Sequence, residues 1–109
     1  MTSLLRVGWV GGLTRSEHLV EAAAKRAGCH VEFHDGNVTG HRSKALRNLI
    51  HRSDVVVVMT ELNSHRGVLT AREEARLAGR PIIMLRKAGL SRLEEMLGEL
   101  RLHPPHVAA

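Results

Sequence analysis

The sequence predicts an α/β three-layer sandwich, a four-stranded parallel sheet in the order 2-1-3-4 with helices on both faces. Three observations carry this. Strand-like and helix-like segments alternate four times, the pattern of a parallel sheet joined by right-handed crossovers. The run DVVVVM (54–59) is β-branched and lacks polar alternation, as expected of a central strand buried on both faces. Glycines and hydroxyl side chains stand at the junctions, where helices must start and stop.

The first strand is LLRVGWV (4–10), ended by Gly11-Gly12. Thr14 and Glu17 then form a capping box, and Leu19, Val20, Ala23, Ala24 and Ala27 make one apolar helical face. Gly28 suits the left-handed residue that closes a helix. HVEFH (30–34) is a short alternating strand followed by the turn-forming Asp35-Gly36-Asn37. The second helix runs through SKALRNLIHR, with Ala45, Leu46, Leu49 and Ile50 inward. After DVVVVM, a third helix starts at Asn63 or Ser64 and turns Val68, Ala71, Ala75 and Ala78 to the core. Gly79 ends it and Pro81 follows. PIIML (81–85) is the fourth strand. Ser91 and Glu94 form another capping box, ahead of inward Leu93, Met96, Leu97 and Leu100. Residues 1–102 thus read as one Rossmann-like or flavodoxin-like domain. Residues 103–109, with Pro104 and Pro105, read as a flexible tail.

Composition narrows the classes of function. The 109 residues carry a net charge of +5 with histidine neutral, which favours anionic partners. Aromatic content is 2 %, so platforms for stacking bases are nearly absent and nucleic acid is not the expected partner. GHRSKALRNLIHR (40–52) holds several cations, but they read as a solvated helix face. One cysteine, Cys29, allows no intrachain disulfide, and no signal peptide or membrane span is visible; a cytoplasmic protein is expected.

Ligands of such sheets bind beyond the carboxyl ends of the strands, where the strand order reverses. This sequence puts Gly11, Gly12, His34, Asp35, Asn63, Ser64, His65 and Arg86 there, with Thr60 and Lys87 nearby. His65 falls in the first turn of the third helix, where the positive end of the helix dipole favours neutral imidazole, the form that ligates metal or accepts a proton. One of Asn63 and Ser64 would cap that helix and the other would be free to meet a ligand. Asp35 could orient His34 if the chain turns there, although strand neighbours point to opposite faces. Gly11-Gly12 allows close approach of an anion, yet neither G-x-G-x-x-G nor the P-loop lysine is present. His30 and His34 would stand roughly 13 Å apart on a strand and cannot share an ion. Cys29 lies on the opposite edge, where a structural role is expected.

The motifs VGG (10–12), HDG (34–36), SDVVVV (53–58), SH (64–65) and LRKAGLSRLEEML (85–97) together resemble the bacterial domain-of-unknown-function family numbered 2325, over about residues 4–100. The resemblance implies a compact four-unit α/β fold. It also implies that Gly11, Gly12, His34, Asp35, Ser64, His65 and Arg86 occupy motif positions. It implies no settled activity. Arg66 stands here where the family often has an amide.

The expected function is a binding module, a sensor or carrier rather than a strong catalyst. It would hold a small anionic ligand or a metal-bearing cofactor, haem or a transition metal, with His65 as the metal ligand and Arg86 and Lys87 pairing with anionic groups. A homodimer is expected. The alternatives are a metal-free phosphate or nucleotide binder and a hydrolase or transferase with His65 as base, assisted by His34 and Asp35.

Overall fold

The computed structural model describes residues 4–12, 17–61, 63–86 and 90–103. The elements are β1 (Leu5–Val10), α1 (Glu17–Arg26), β2 (Cys29–His34), α2 (Arg42–Arg52), β3 (Val55–Met59), α3 (His65–Ala78), β4 (Ile82–Leu85) and α4 (Leu90–Leu102). All strand pairs are parallel and the order is β2-β1-β3-β4, as the alternation of elements predicted. The chain leaves β1 outward to β2 and then crosses back to β3, so the order reverses between β1 and β3.

Two cores sandwich the sheet. Val55, Val57 and Met59 of β3 pack with Trp9 and Val7 under α1 and α4, while Val56 and Val58 pack with Val10 under α2 and α3. Every residue of β3 is buried, which is why its sequence shows no alternation. The α1/α4 side takes the bulky Trp9 and the partly buried Phe33 and Met96; the α2/α3 side uses Ala71 and Ala75, which bring α3 close to the sheet.

Two residues expected inside are outside. Leu19 is 42 % exposed, and Ala45 is exposed. Each sits one residue before the first buried position of its helix, Val20 and Leu46. One residue is a turn of about 100°, enough to leave a stripe this narrow. The third helix is capped by Ser64, whose Oγ accepts from Gly67 N at 2.8 Å, and Gly79 closes it at φ 68°. α4 begins at Leu90, one residue before Ser91. Thr14 of the first predicted capping box, Lys87, and residues 104–109 of the predicted tail lie outside the described residues. Among the described residues no helix is long and apolar enough to cross a membrane.

Candidate functional site

A cleft of about 740 Å³ opens at the carboxyl ends of the strands. The loop after β2 (residues 35–40) forms one wall, and Asn63 to Arg66, at the start of α3, form the other. The two segments predicted to converge on this rim do so. Ser64 ties the walls together: its hydroxyl donates to Gly36 O at 3.1 Å while accepting the Gly67 N–H.

The loop holds itself in shape. Asp35 Oδ1 accepts from Asn37 N at 2.9 Å, and Asn37 Oδ1 accepts from both the N–H and the hydroxyl of Thr39. These are side-chain-mediated turns, the reason Asp and Asn favour such positions. Arg42, at the start of α2, reaches back to Asp35 Oδ1 at 2.8 Å. Burial alone would raise the Asp35 carboxyl. The Arg42 and Asn37 hydrogen bonds, with the charge of Arg42, outweigh it and hold the group below its ordinary value.

His34 lies beneath this loop, 8 % exposed. Its Nδ1 accepts from Gly36 N at 2.9 Å, so the ring proton is on Nε2, which donates to Arg42 O at 2.9 Å. Both nitrogens are occupied. The ring fastens the loop to α2 and has no lone pair left for a ligand.

Asn63 forms the floor. Its Nδ2 donates to Met59 O at 2.8 Å and to Val10 O at 3.4 Å, joining the ends of β3 and β1. Two carbonyls on one side fix the amide with nitrogen toward them. The buried Oδ1 then has no hydrogen-bond donor and lies against glycine Cα–H groups instead. A Cβ at Gly11 or Gly36 would overlap the Asn63 amide, and one at Gly67 would overlap Gly36 O. Gly11 and Gly36 also have φ of 85° and 86°, which side chains other than glycine rarely adopt.

The second wall holds donors in excess. The N–H groups of His65 and Arg66 have no partner among the described residues, since Gly67 N uses Ser64 Oγ and Val68 N uses Ser64 O. The side chains of both are exposed, and neither forms an ion pair among the described residues.

Of the predicted site residues, Asp35, Asn63, Ser64 and His65 line the cleft. His34 lies under its wall. Gly11 and Gly12 do not line it; they admit Asn63 and Met59 in close packing. Arg86 is also absent from the lining, its side chain 89 % exposed and 3.9 Å from Glu61. Thr60 is spent on Leu85 O. Among the described residues no group of three or more His, Cys, Asp or Glu gathers as a metal site. Cys29 is buried at the other end of the sheet with Sγ 3.5 Å from Leu97 O; burial raises its thiol against the opposing charge of Arg101.

Sequence reasoning passed over Arg66, Gly67, Val38 and Thr39. Gly67 had a signal: glycine in a first helical turn costs about 1 kcal/mol relative to alanine, so its presence points to a close approach. Arg66 had none beyond its place beside His65.

The model of the family described as an uncharacterized protein conserved in bacteria (DUF2325) matches residues 6–100. A UPF0751 protein of Bacillus cereus (strain AH820) is 32 % identical over 83 residues, covering 76 % of this chain and 79 % of that protein. One from Desulfitobacterium hafniense (strain Y51) is 26 % identical over 93 residues, 85 % of this chain and 91 % of its own. No solved structure matches the chain. With the match running from β1 through most of α4, the chain belongs to the DUF2325 (UPF0751) family of uncharacterised bacterial proteins.

Proposed function

We propose that the cleft between the 35–40 loop and the start of α3 binds a small anionic ligand, and that the protein is a carrier or sensor rather than a catalyst. One observation carries the reading. The second wall presents two backbone N–H groups without partners among the described residues, together with the His65 and Arg66 side chains, while Asp35, the carboxylate opposite, is held by Arg42. Donors gathered on one wall, with the opposing carboxylate already paired to Arg42, suit a phosphate or carboxylate. A hydrolase with His65 as base would lack the assistance expected of His34, whose nitrogens are both engaged.

Calorimetric titration with inorganic phosphate and a nucleotide panel, chelator present, tests the reading. Saturable binding lost in Arg66→Ala supports it; no binding to any of these anions, or binding unchanged in Arg66→Ala, overturns it.

A metal-bearing anionic cofactor such as haem is the second reading. The exposed His65 imidazole favours it, as a single axial ligand with Arg66 near the carboxylates. Val38 as the one aliphatic lining residue offers little apolar wall. Haemin added to the protein should give a Soret band that His65→Ala removes; without that band this version fails. A homodimer, pairing through the open edges β2 or β4, is tested by sedimentation. On α2, Arg42, Arg47 and Arg52 each pair with an acid, Asp35, Glu74 and Glu32, which leaves little free charge for nucleic acid.

A further inference from the structure

We infer that His34 is a proton-operated latch on the cleft's first wall: neutral, it holds the Gly36 N–H and leaves Asp35 to Arg42; protonated, it releases Gly36, turns to Asp35 and loosens the Asp35–Arg42 pair.

The geometry defines both states. In the structure Nδ1 accepts the Gly36 N–H at 2.9 Å, which requires a lone pair. Nε2–H donates to Arg42 O and has no reason to move. A solvent proton added to Nδ1 converts it from acceptor to donor and sets two N–H groups against each other. A carboxylate acceptor for the new Nδ1–H stands close by: Asp35 Oδ1, 3.7 Å away. Arg42 already holds that same oxygen at 2.8 Å. The Asn37 N–H occupies that oxygen as well, at 2.9 Å, so with both of its lone pairs taken a turn toward the imidazolium weakens the longer-armed partner, Arg42, whose side chain is half exposed.

No other group competes for the proton. On α2 the charged groups near the ring are His41 and Arg42, with Lys44 further along. Across the cleft, α3 offers His65 and Arg66, both donors. β1 pairs His34 with the uncharged Val10. Glu32, two residues back on the same strand face, is taken by Arg6 and Arg52. Helices α1 and α4 pack on the opposite side of the sheet, with Val31 and Phe33. Asp35 is thus the acceptor the latch must use.

The wall's other anchor, the Ser64 hydroxyl on Gly36 O, does not depend on protonation. The loop stays attached at Gly36 O when its N–H is released, so the change is a local re-aiming of Asp35 and Arg42. The effect on affinity rests on the cleft being an anion site; the loop rearrangement does not.

Nuclear magnetic resonance of the ligand-free full chain, from about pH 8 to about pH 5, where imidazoles titrate, tests the latch. The His34 ring nitrogens, the Gly36 amide and the Arg42 Nε–H should shift with one shared midpoint, unchanged in His65→Ala. In His34→Gln, whose amide can accept from Gly36 and donate to Arg42 O without titrating, the Gly36 and Arg42 transitions should vanish. In Asp35→Asn the His34 ring and Gly36 should still titrate, but Arg42 should not follow. The latch is overturned if Gly36 stays fixed while the ring titrates, if His34→Gln retains the transition, or if the ring stays neutral until the protein unfolds. Sulfate, which does not titrate here, is the probe for the consequence. Its affinity should rise on acidification about threefold more in wild type than in His34→Gln. Absence of sulfate binding at every pH counts against the anion site and leaves the loop measurement to decide the latch.

Discussion

At the amino ends of the strands, Arg6 N donates to Asp54 Oδ2 at 2.8 Å, Asp54 N returns a bond to Arg6 O, and Glu32 takes both Arg6 and Arg52. Buried Ser53 gives its hydroxyl to Leu49 O beneath Gly8. At the carboxyl ends, Asn63, Ser64 and His34 satisfy backbone groups of three loops, and the N–H groups of His65 and Arg66 have no partner among the described residues. Both rims are polar. The amino rim pairs its carboxylates within the fold, although Arg80 Nε and Arg101 Nε are buried there without a partner among the described residues. The carboxyl rim is braced underneath and carries donors at its surface that have no partner among the described residues. Polar composition alone does not separate the two; the balance of donors and acceptors does.

The glycines test that difference most severely. Gly36 and Gly79 both have positive φ, but Gly36 is packed on Asn63 while a Cβ at Gly79, on the amino side, meets nothing within 4 Å. Gly36→Ala should destabilise by about 3 kcal/mol, combining strain with overlap. Gly79→Ala should cost about 1 kcal/mol, from strain alone. Urea denaturation of both reads the difference; equal losses would mean the carboxyl rim is not tightly braced.

Asn63→Ala comes next. It strands Val10 O and Met59 O at a partly buried position and should cost about 2 kcal/mol in the same assay. Asn63→Asp should be no better, because a carboxylate would face two carbonyls. Were Asn63→Asp stable, the placement of the amide nitrogen would be wrong.

On the amino rim, Glu32→Gln should cost under about 1 kcal/mol, as its partners are half exposed. Its signature is in acid. The Arg52 hydrogen bond leads in holding the Glu32 carboxyl below its ordinary value; burial opposes it, and Arg6 adds to the lowering. The ionised form is thus favoured by folding. Its contribution is complete above the unfolded value and fades as pH falls through the lower folded one. Melting temperatures below about pH 4.5 should therefore fall less steeply in Glu32→Gln. Identical acid limbs would remove Glu32 from the network.

The smallest effect on stability belongs to the exposed wall of the cleft. Arg66→Ala and His65→Ala should each change unfolding free energy by no more than about 0.5 kcal/mol. A larger loss would show that these side chains brace the rim rather than await a ligand.

Much of this architecture was readable from residue pattern. The all-apolar DVVVVM announced a strand covered on both faces, and Ser64 and Gly79 marked the ends of α3. The inward positions failed only at Leu19 and Ala45, where periodicity gives a direction but not the width of the buried stripe. The site was legible as a neighbourhood: HDG and NSH converge as expected. Individual roles were not. His34, considered for pairing with Asp35, fastens the loop, and Gly11, considered for close approach of an anion, makes room for an amide.

By itself the sequence determined the order of elements, the central position of β3 and the rim at which polar residues collect, because these depend on periodicity, capping and short-range backbone preference. Only the tertiary structure decided which polar atoms are spent. Asn63 meets Val10 across 53 residues and Ser64 meets Gly36 across 28. Whether a donor is free or satisfied depends on such distant partners, and a local pattern carries no record of them.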